Sequence, residues 1–587
     1  MRSVGAMKQH IENILQSAIQ QLQAQGELPI IPAFVEVDAT KDKTHGDFAS
    51  NIALILAKPA QKNPRDIAEH ILNILAPSPY IEKIEIAGPG FINFFLSAKV
   101  LHEVIVKILH EKENYGRCKI GRDKNVLMEF LSSNPTGPLH VGHGRHAAFG
   151  AVVSNLLDAV GFKTYREYYV NDAGRQMDIL AVSVFLRYLS VCGNEIYFPL
   201  NAYRGEYVTD IAKTIVKQHQ KRFVVDAKAL YHNLPQDEDD KDIYIDAMIN
   251  RVKQLLSDRY QVVFDIGLNT ILADMRDDLT EFGVHYDNWF SERAFVKSDI
   301  VDQLIEKLKA KGHVYEREGA LWFRSTDFHD VKDRVLVRSN GQRTYFANDA
   351  AYHLHKFERN FDIALDIFGA DHHGYIPRMK AAIEALGINP ERLVYILVQF
   401  VTLYRGGQQV QMSTRGGNFV TLRELRREIG NDVARFFYVM RKSEQHMDFD
   451  LDLAKAASNE NPVYYVQYAY ARISSIFKQL KEKNLSYNEQ DGLSHLHLLT
   501  QAEERQLLTT LSHYPDMIIN AALQYEPHQL TNYLRELSTH FHAYYNSHQI
   551  LVEDNALRHA RLTLIAATKQ TLLNGFNLLG IFAPETM

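Results

Sequence analysis

The segment SSNPTGPLHVGHGRH, Ser132 to His146, lies between two apolar stretches yet holds three glycines, two prolines and three histidines. Pro135, Gly137 and Pro138 force a turn. Gly142 and Gly144 allow close backbone approach at the start of the element that follows. If that element is a helix, its first N–H groups and its dipole form a seat for phosphate, with His140 and His143 beside it. An imidazole N–H can donate to a phosphoryl oxygen as charge builds there in a transition state. Phosphoryl-type chemistry asks a protein mainly for positioning and charge stabilisation. The same spacing also suits a helix cap, or two histidines of a surface turn. A zinc pair is disfavoured by the intervening glycine and the lack of nearby cysteines or carboxylates.

The elements around this turn set its context. NVLMEFLS (125–132) is a buried-strand candidate and GRHAAFGAVVSNLLDAVGF is a helix stopped by Gly161. KTYREYYVND is another strand, completing a βαβ unit. Its expected setting is a Rossmann-type parallel sheet with ligands at the carboxyl ends of the strands. Residues 190–290 look irregular and charged, as an insertion in the sheet domain. ALDIFGADHHGYIPRMKAAIEALG resumes the strand–turn–helix pattern. Upstream, an amphipathic helix over residues 8–25, helical segments restarting at Pro64 and a strand pair turning at Gly88-Pro89-Gly90 form a small N-terminal α/β domain, 1–115. The catalytic sheet domain spans 120–400, a connecting segment 401–450, and an all-α helical bundle 451–587.

Other side chains are placed for chemistry. Glu129 ends the strand before the turn, and Tyr345 and Asp349, four apart in a helical stretch, share a face. A solvated helix face is the plainer reading of that pair. Asp371, His372 and His373 end a strand before Gly374, at the mouth of the sheet, with Asp371 as a helix cap the rival role. For Asn171, Asp172 and Gln176 local capping is as good a reading as ligand contact. In the helical bundle, Asn461, Tyr464, Tyr465, Tyr468 and Arg472 recur at helical steps with Gln467 at the edge. Such a face suits splayed single-stranded bases, although aromatic positions on a helix are usually core.

With 587 residues, three or four domains are expected. A net charge of -6 gives no global basic field, so a nucleic acid would be held by local patches. Two cysteines exclude a disulfide framework and a Cys-rich zinc site. No signal peptide and no apolar run of ~18–20 residues is found, which leads to the expectation of a cytoplasmic protein.

EFLSSNPTGPLHVGHGR resembles the ATP-binding signature of class I aminoacyl-tRNA synthetases, and the surrounding residues resemble the arginyl-tRNA synthetases. The resemblance continues in order through HGDFASNIALILAK (45–58), YVNDAGRQ (169–176), FGADHHGYIPRMKAA (368–382), QMSTRGGNFVTLREL (411–425), NDVARFF (431–437), NPVYYVQYAYARI (461–473) and the C-terminal TLLNGFNLLGIFAPETM. It implies an arginine–tRNA ligase that uses ATP with Mg²⁺, and binding of tRNA before efficient activation. It makes His140, His143 and Arg415 catalytic, and places ATP on Pro138, Gly142, Gly144, His373, Met412 and Ser413. Glu129, Tyr345 and Asp349 become the arginine side-chain pocket, and Ser132, Asn134 and His372 hold the rest of that substrate. NDVARFF and NPVYYVQYAYARI would open the anticodon-binding domain, and the N-terminal domain would recognise the tRNA body. No protein-bound metal and a monomer are expected.

One departure stands out. The general second loop, K-M-S-K-S, reads Gln411-Met412-Ser413-Thr414-Arg415 here, with neither lysine. Arg415, or Arg405 in YRGGQQV, is the candidate cation for the leaving pyrophosphate. Two other readings compete. An adenylyl-transferring enzyme for a small molecule would not need the large C-terminal bundle. A non-catalytic RNA-binding relative should have lost His140, His143, Glu129 or Asp349. Cysteine or glutamate specificity fits an acidic pocket poorly.

Overall fold

The apolar run after residue 124 forms strand β1 (Asn125–Phe130), buried at five of its six positions. Four more strands lie parallel to it: β2 (Lys163–Val170), β3 (Asn288–Ser291), β4 (Ile363–Gly369) and β5 (Leu393–Val398), in the order β5-β4-β1-β2-β3. The chain leaves β1 for β2 on one side and later returns to β4 on the other. This is a doubly wound sheet, with its switch point beside β1. The computed structural model describes residues 4–29, 35–40, 43–237, 239–410 and 420–587.

Helix α1 (Val141–Ala159) follows β1 and buries 14 of its 19 residues, as a helix apolar on all sides must. Gly150 lets it sit down on the sheet, since a Cβ there would come within 2.3 Å of the Phe130 ring. Gly144 has a similar role. A Cβ would meet Leu422 and Tyr438 at 2.7 Å. Its bare Cα lets α1 pack against α3 (Leu422–Ile429) and α4 (Asn431–Val439), which follow α2 (Tyr345–Glu358) in the chain.

Helices Val4–Ala24, Ile52–Ala60 and Pro64–Ile74 cover a four-stranded antiparallel sheet whose last hairpin pairs Ala87 with Phe91. This unit has its own core, closing at Leu96 and Val100. The expected boundary near 115 is late. In helix Ala98–Glu111, Leu101, Ile105 and Ile108 join the main core, and Tyr115 Oη donates to the Leu511 carbonyl at 2.8 Å. An amphipathic pattern shows that a helix has an apolar face, not which partner covers it.

Between β2 and β3 the segment expected to be irregular is helical, including Arg175–Val191, Glu206–His219, Lys241–Leu256 and Arg259–Glu281. After β3 comes a second insertion, with an antiparallel sheet of Val314–Arg317, Ala320–Phe323 and Arg334–Val337. Strands Val401–Arg405, Gln408–Gln409 and Met447–Asp450 form a further small sheet. From α5 (Pro462–Glu482) onward the chain is helical, ending in Asn555–Leu579. The architecture is a Rossmann-type α/β domain with a small N-terminal α/β domain and a C-terminal helical bundle. Among the described residues no helix is long and apolar enough to cross a membrane.

Candidate active site

A cavity of about 710 Å³ opens at the carboxyl ends of β1, β2 and β4. The turn after β1 supplies Ser132, Asn134, Pro138, His140 and His143, the end of β2 supplies Asn171 and Gln176, and the turn after β4 supplies Asp371 and His372. The chain leaves β1 through two left-handed residues, Leu131 (φ 73°) and Ser132 (φ 39°). This sharp exit is held by the Tyr169 N–H donating to Ser132 Oγ at 3.0 Å.

His140 is the N-cap of α1. Its Nδ1 accepts from the Gly142 N–H at 3.1 Å, and His143 Nδ1 accepts from the His140 N–H at 3.2 Å. The two rings stack with centroids 3.5 Å apart. A Cβ on Gly142 would stand 3.0 Å from His140 Cε1, so glycine keeps this stack in place. Burial pushes His140 down to about 4. It pushes His143 further below the usual imidazole range, helped by His140 and His146. Both rings are neutral, and because each Nδ1 accepts a backbone N–H, each carries its proton on Nε2. The cap therefore uses the Nδ1 end of each ring, and the reading as a phosphate donor concerns the Nε2–H end.

Arg145 is fully buried and donates to the carbonyls of Gln399 (2.7 Å), Lys442 (2.8 Å) and Gln445 (2.9 Å). It ties the histidine helix to the segments flanking the second loop. Val141 N–H donates to the Val420 carbonyl and Leu422 N–H to the Leu139 carbonyl, so residues 420–422 run beside the histidine turn. Met412, Ser413 and Arg415 lie outside the described residues. Arg405 forms an ion pair with Glu428 at 2.8 Å, away from the cavity lining.

Deeper in, the half-buried Asp349 accepts from the Tyr375 hydroxyl, while Tyr345, at the start of the same helix, is 77% exposed. Glu292 faces Asp349 and accepts from the Tyr169 hydroxyl. The Asn171 amide, oriented to satisfy its neighbours, donates to Glu292 and meets the Asn134 amide at 3.0 Å. A chain of polar groups thus runs from the histidine turn to an acid pair. Glu292 was missed in the sequence because it follows an edge strand in an unremarkable SERAF stretch. Glu129 is reached by Lys356 Nζ at 2.6 Å, so one of its oxygens is already engaged.

Asp172 does not point to a ligand. It accepts from Ser291 Oγ (2.6 Å) and the Arg293 N–H (2.7 Å), 119 and 121 residues on, so it is neither a local cap nor aimed at a ligand. Asp371 is no cap, since the helix after it, Ile376–Ala385, begins from Tyr375 without a side-chain cap. His373 is exposed outside the cavity lining.

In the bundle, Tyr464 and Tyr468 stack at 5.9 Å, and the Arg472 guanidinium lies 4.5 Å over Tyr468 and 4.4 Å over Tyr545. These half-buried groups form a ladder on one face of α5. Asn461 and Gln467 leave it: Asn461 caps α5 through the Val463 N–H, and Gln467 donates to Asp432 and to the Phe582 carbonyl.

Burial first, then Glu292 and Glu129, pushes Asp349 up to about 8. A guanidinium beside it favours the carboxylate, so binding below that pH must release a proton. If this acid pair holds arginine, as the sequence resemblance implies, arginine affinity is expected to rise about 10–30-fold from pH 6.5 to 8.5 and then level off. A flat profile in titration calorimetry, or no proton release at pH 7, would contradict this role for Asp349.

A doubly wound sheet with a neutral histidine pair capping the helix after its central strand, followed by a helical bundle with an aromatic–cation face, is the arrangement of a class I aminoacyl-tRNA synthetase. Residues 104–450 match the family described as tRNA synthetases class I (R), catalytic domain; residues 9–96 match the Arginyl tRNA synthetase N terminal domain, and residues 466–587 the DALR anticodon binding domain. The arginine–tRNA ligase of Thioalkalivibrio sulfidiphilus is 56% identical over 99% of this chain and 100% of its own, and that of Legionella pneumophila strain Paris 53% over the same shares. The solved arginyl-tRNA synthetase of Thermus thermophilus has a TM-score of 0.73 over 99% of this chain and 100% of its own, at 22% identity, a likeness of fold. The chain belongs to the arginyl-tRNA synthetase family, whose members are ATP-dependent arginine–tRNA ligases. The catalytic match extends to 450, so NDVARFF in α4 belongs with the catalytic half, as its packing on α1 shows.

Proposed function

We propose that the cavity activates arginine and passes it to tRNA through the residues placed above. The carrying observation is a cavity lined by the imidazole pair and by Asn134 and Asn171, whose amides lead on to the Asp349–Glu292 acid pair. Arginine's guanidinium is planar and always charged, and it matches such a pair. Ser132, Asn134 and His372 then lie along its α-amino and carboxylate end. The carboxylate oxygen bonds to the α-phosphorus of ATP as the bond to pyrophosphate breaks. His140 and His143 donate Nε2–H to the phosphate oxygens, and the first N–H groups of α1 add their dipole. A ribose hydroxyl of the terminal tRNA adenosine then attacks the mixed anhydride and AMP leaves.

Mg²⁺ arrives with the ATP phosphates. Pro138 and Gly142 stand on the ATP side, as do His373, Met412 and Ser413 in the family's pattern, and Arg415 is the cation for pyrophosphate. The Tyr464–Tyr468–Arg472 face reads anticodon bases by stacking, and the N-terminal domain takes the tRNA body. The protein works as a cytoplasmic monomer.

Charging of total tRNA with each of the twenty amino acids, ATP and Mg²⁺ is expected to succeed with arginine alone. Adenylate formation without transfer to tRNA would favour an adenylyl-transferring enzyme. tRNA binding without activation would favour a non-catalytic RNA-binding protein.

A further inference from the structure

Five residues in register cross the parallel sheet in one row: Tyr395, Asp366, Glu129, Glu167 and Asn288. A parallel sheet covered on both faces is normally apolar there. This row instead sets three carboxylates side by side, Glu129 3% exposed and Asp366 and Glu167 fully buried.

Helix α2 answers them at helical spacing. Tyr352 Oη and Arg359 Nη1 donate to Glu167 at 2.8 and 2.7 Å. Lys356 Nζ donates to Glu129 at 2.6 Å and to Asp366 at 2.7 Å. His353 Nε2 meets Asp366 at 2.8 Å, while its Nδ1 lies 2.7 Å from the Asp349 carbonyl. Only a donor satisfies a carbonyl, so Nδ1 donates there, and the Tyr395 hydroxyl lies 3.1 Å from Nε2. Lys356 and Arg359 are the cations set in balance against the three carboxylates. Asp349 and Glu292 stand outside this balance.

We propose that Lys356 is a specificity-determining positioning residue. Its ammonium fills, from inside the protein, a ready-made ammonium site between Glu129 and Asp366 beside the arginine pocket. It thereby denies that site to the ammonium of a competing amino acid such as lysine and keeps Glu129 from drawing the guanidinium away from Asp349 and Glu292. Exclusion by an occupied site is discrimination against the wrong ligand. The inference rests on the reading of Asp349 and Glu292 as the arginine pocket.

The test is the ratio of the inhibition constant of lysine against arginine to the KM of arginine, which does not depend on the fraction of folded enzyme. Lys356→Met is expected to lower this ratio at least tenfold, and Lys356→Arg to hold it within about threefold of the wild type. Asp366→Asn, which keeps Lys356 but leaves its charge unbalanced, is the second variant. It should raise the arginine KM several-fold while the ATP KM stays within twofold. An unchanged lysine ratio with an unchanged arginine KM in folded variants overturns the proposal. Failure of both Lys356→Met and Asp366→Asn to fold overturns it too, because the row is then only a support. Asp349→Asn measured in parallel separates the two levels. If it leaves the arginine KM unchanged, the pocket reading itself fails. If it raises the KM while the Lys356 and Asp366 variants do not shift, only the present inference fails.

Discussion

Replacing His143 by alanine is expected to lower tRNA-dependent ATP–pyrophosphate exchange by about 10²–10³-fold, the usual cost of losing one preorganised donor at a developing charge. The side chain has two separable jobs. Its Nδ1 accepts the His140 N–H at the start of α1, and its Nε2 holds the proton that faces phosphate. Loss of the cap costs about 0.5–2 kcal/mol of stability, which affects folding rather than turnover. Asparagine places a carboxamide near the Nδ1 position, and glutamine places one near Nε2. His143→Asn should keep the melting temperature near that of the wild type and lose the activity; His143→Gln should recover part of the activity. Burial holds both rings well below neutral pH, so neither should add an acid limb to kcat between pH 6 and 8. If His143→Asn activates arginine at the wild-type rate, the pair is a cap and nothing more, and the phosphate must be met by other groups.

The sheet and the histidine turn were readable because their signals are local. A continuous apolar run means a strand buried on both faces, and Pro and Gly punctuation means a turn. The two insertions were less readable, since charged amphipathic helices such as Lys241–Leu256 look irregular when their apolar partner is unknown. The boundary near 115 moved for the same reason. The acid pocket shows the limit most clearly. The spacing of Asp349 to Tyr345 gives only a shared helix face, and the family resemblance put it in the pocket; its neighbours are Tyr375, 26 residues on, and Glu292, on another element. For Glu129, no periodicity reports that Lys356, 227 residues away, sits on it. Sequence spacing gives the face of a helix. It does not give what another strand places against that face, and the charge state of a pocket is decided there.

That limit bears on the largest effect expected in the arginine pocket. Asp349→Ala should lower kcat/KM for arginine by about 30–5,000-fold, because truncating one partner of a desolvated charge pair costs about 2–5 kcal/mol. The loss should appear mainly in the arginine KM, with the ATP KM within about twofold, since Asp349 belongs to the acid end and not to the histidine end. Stability should change in the opposite sense to a typical buried deletion. In the empty pocket Asp349 is held near pKa 8 by burial and by like charges, so at neutral pH it is largely protonated and its removal leaves no uncompensated charge. A melting temperature equal to or above that of the wild type, together with a large loss of arginine affinity, is the expected signature of a residue kept for its ligand. Arginine titration of the variant, with and without tRNA, decides the matter. If arginine binds Asp349→Ala as it binds the wild type, the guanidinium sits elsewhere, and Glu129 with Lys356 displaced is the next place to look.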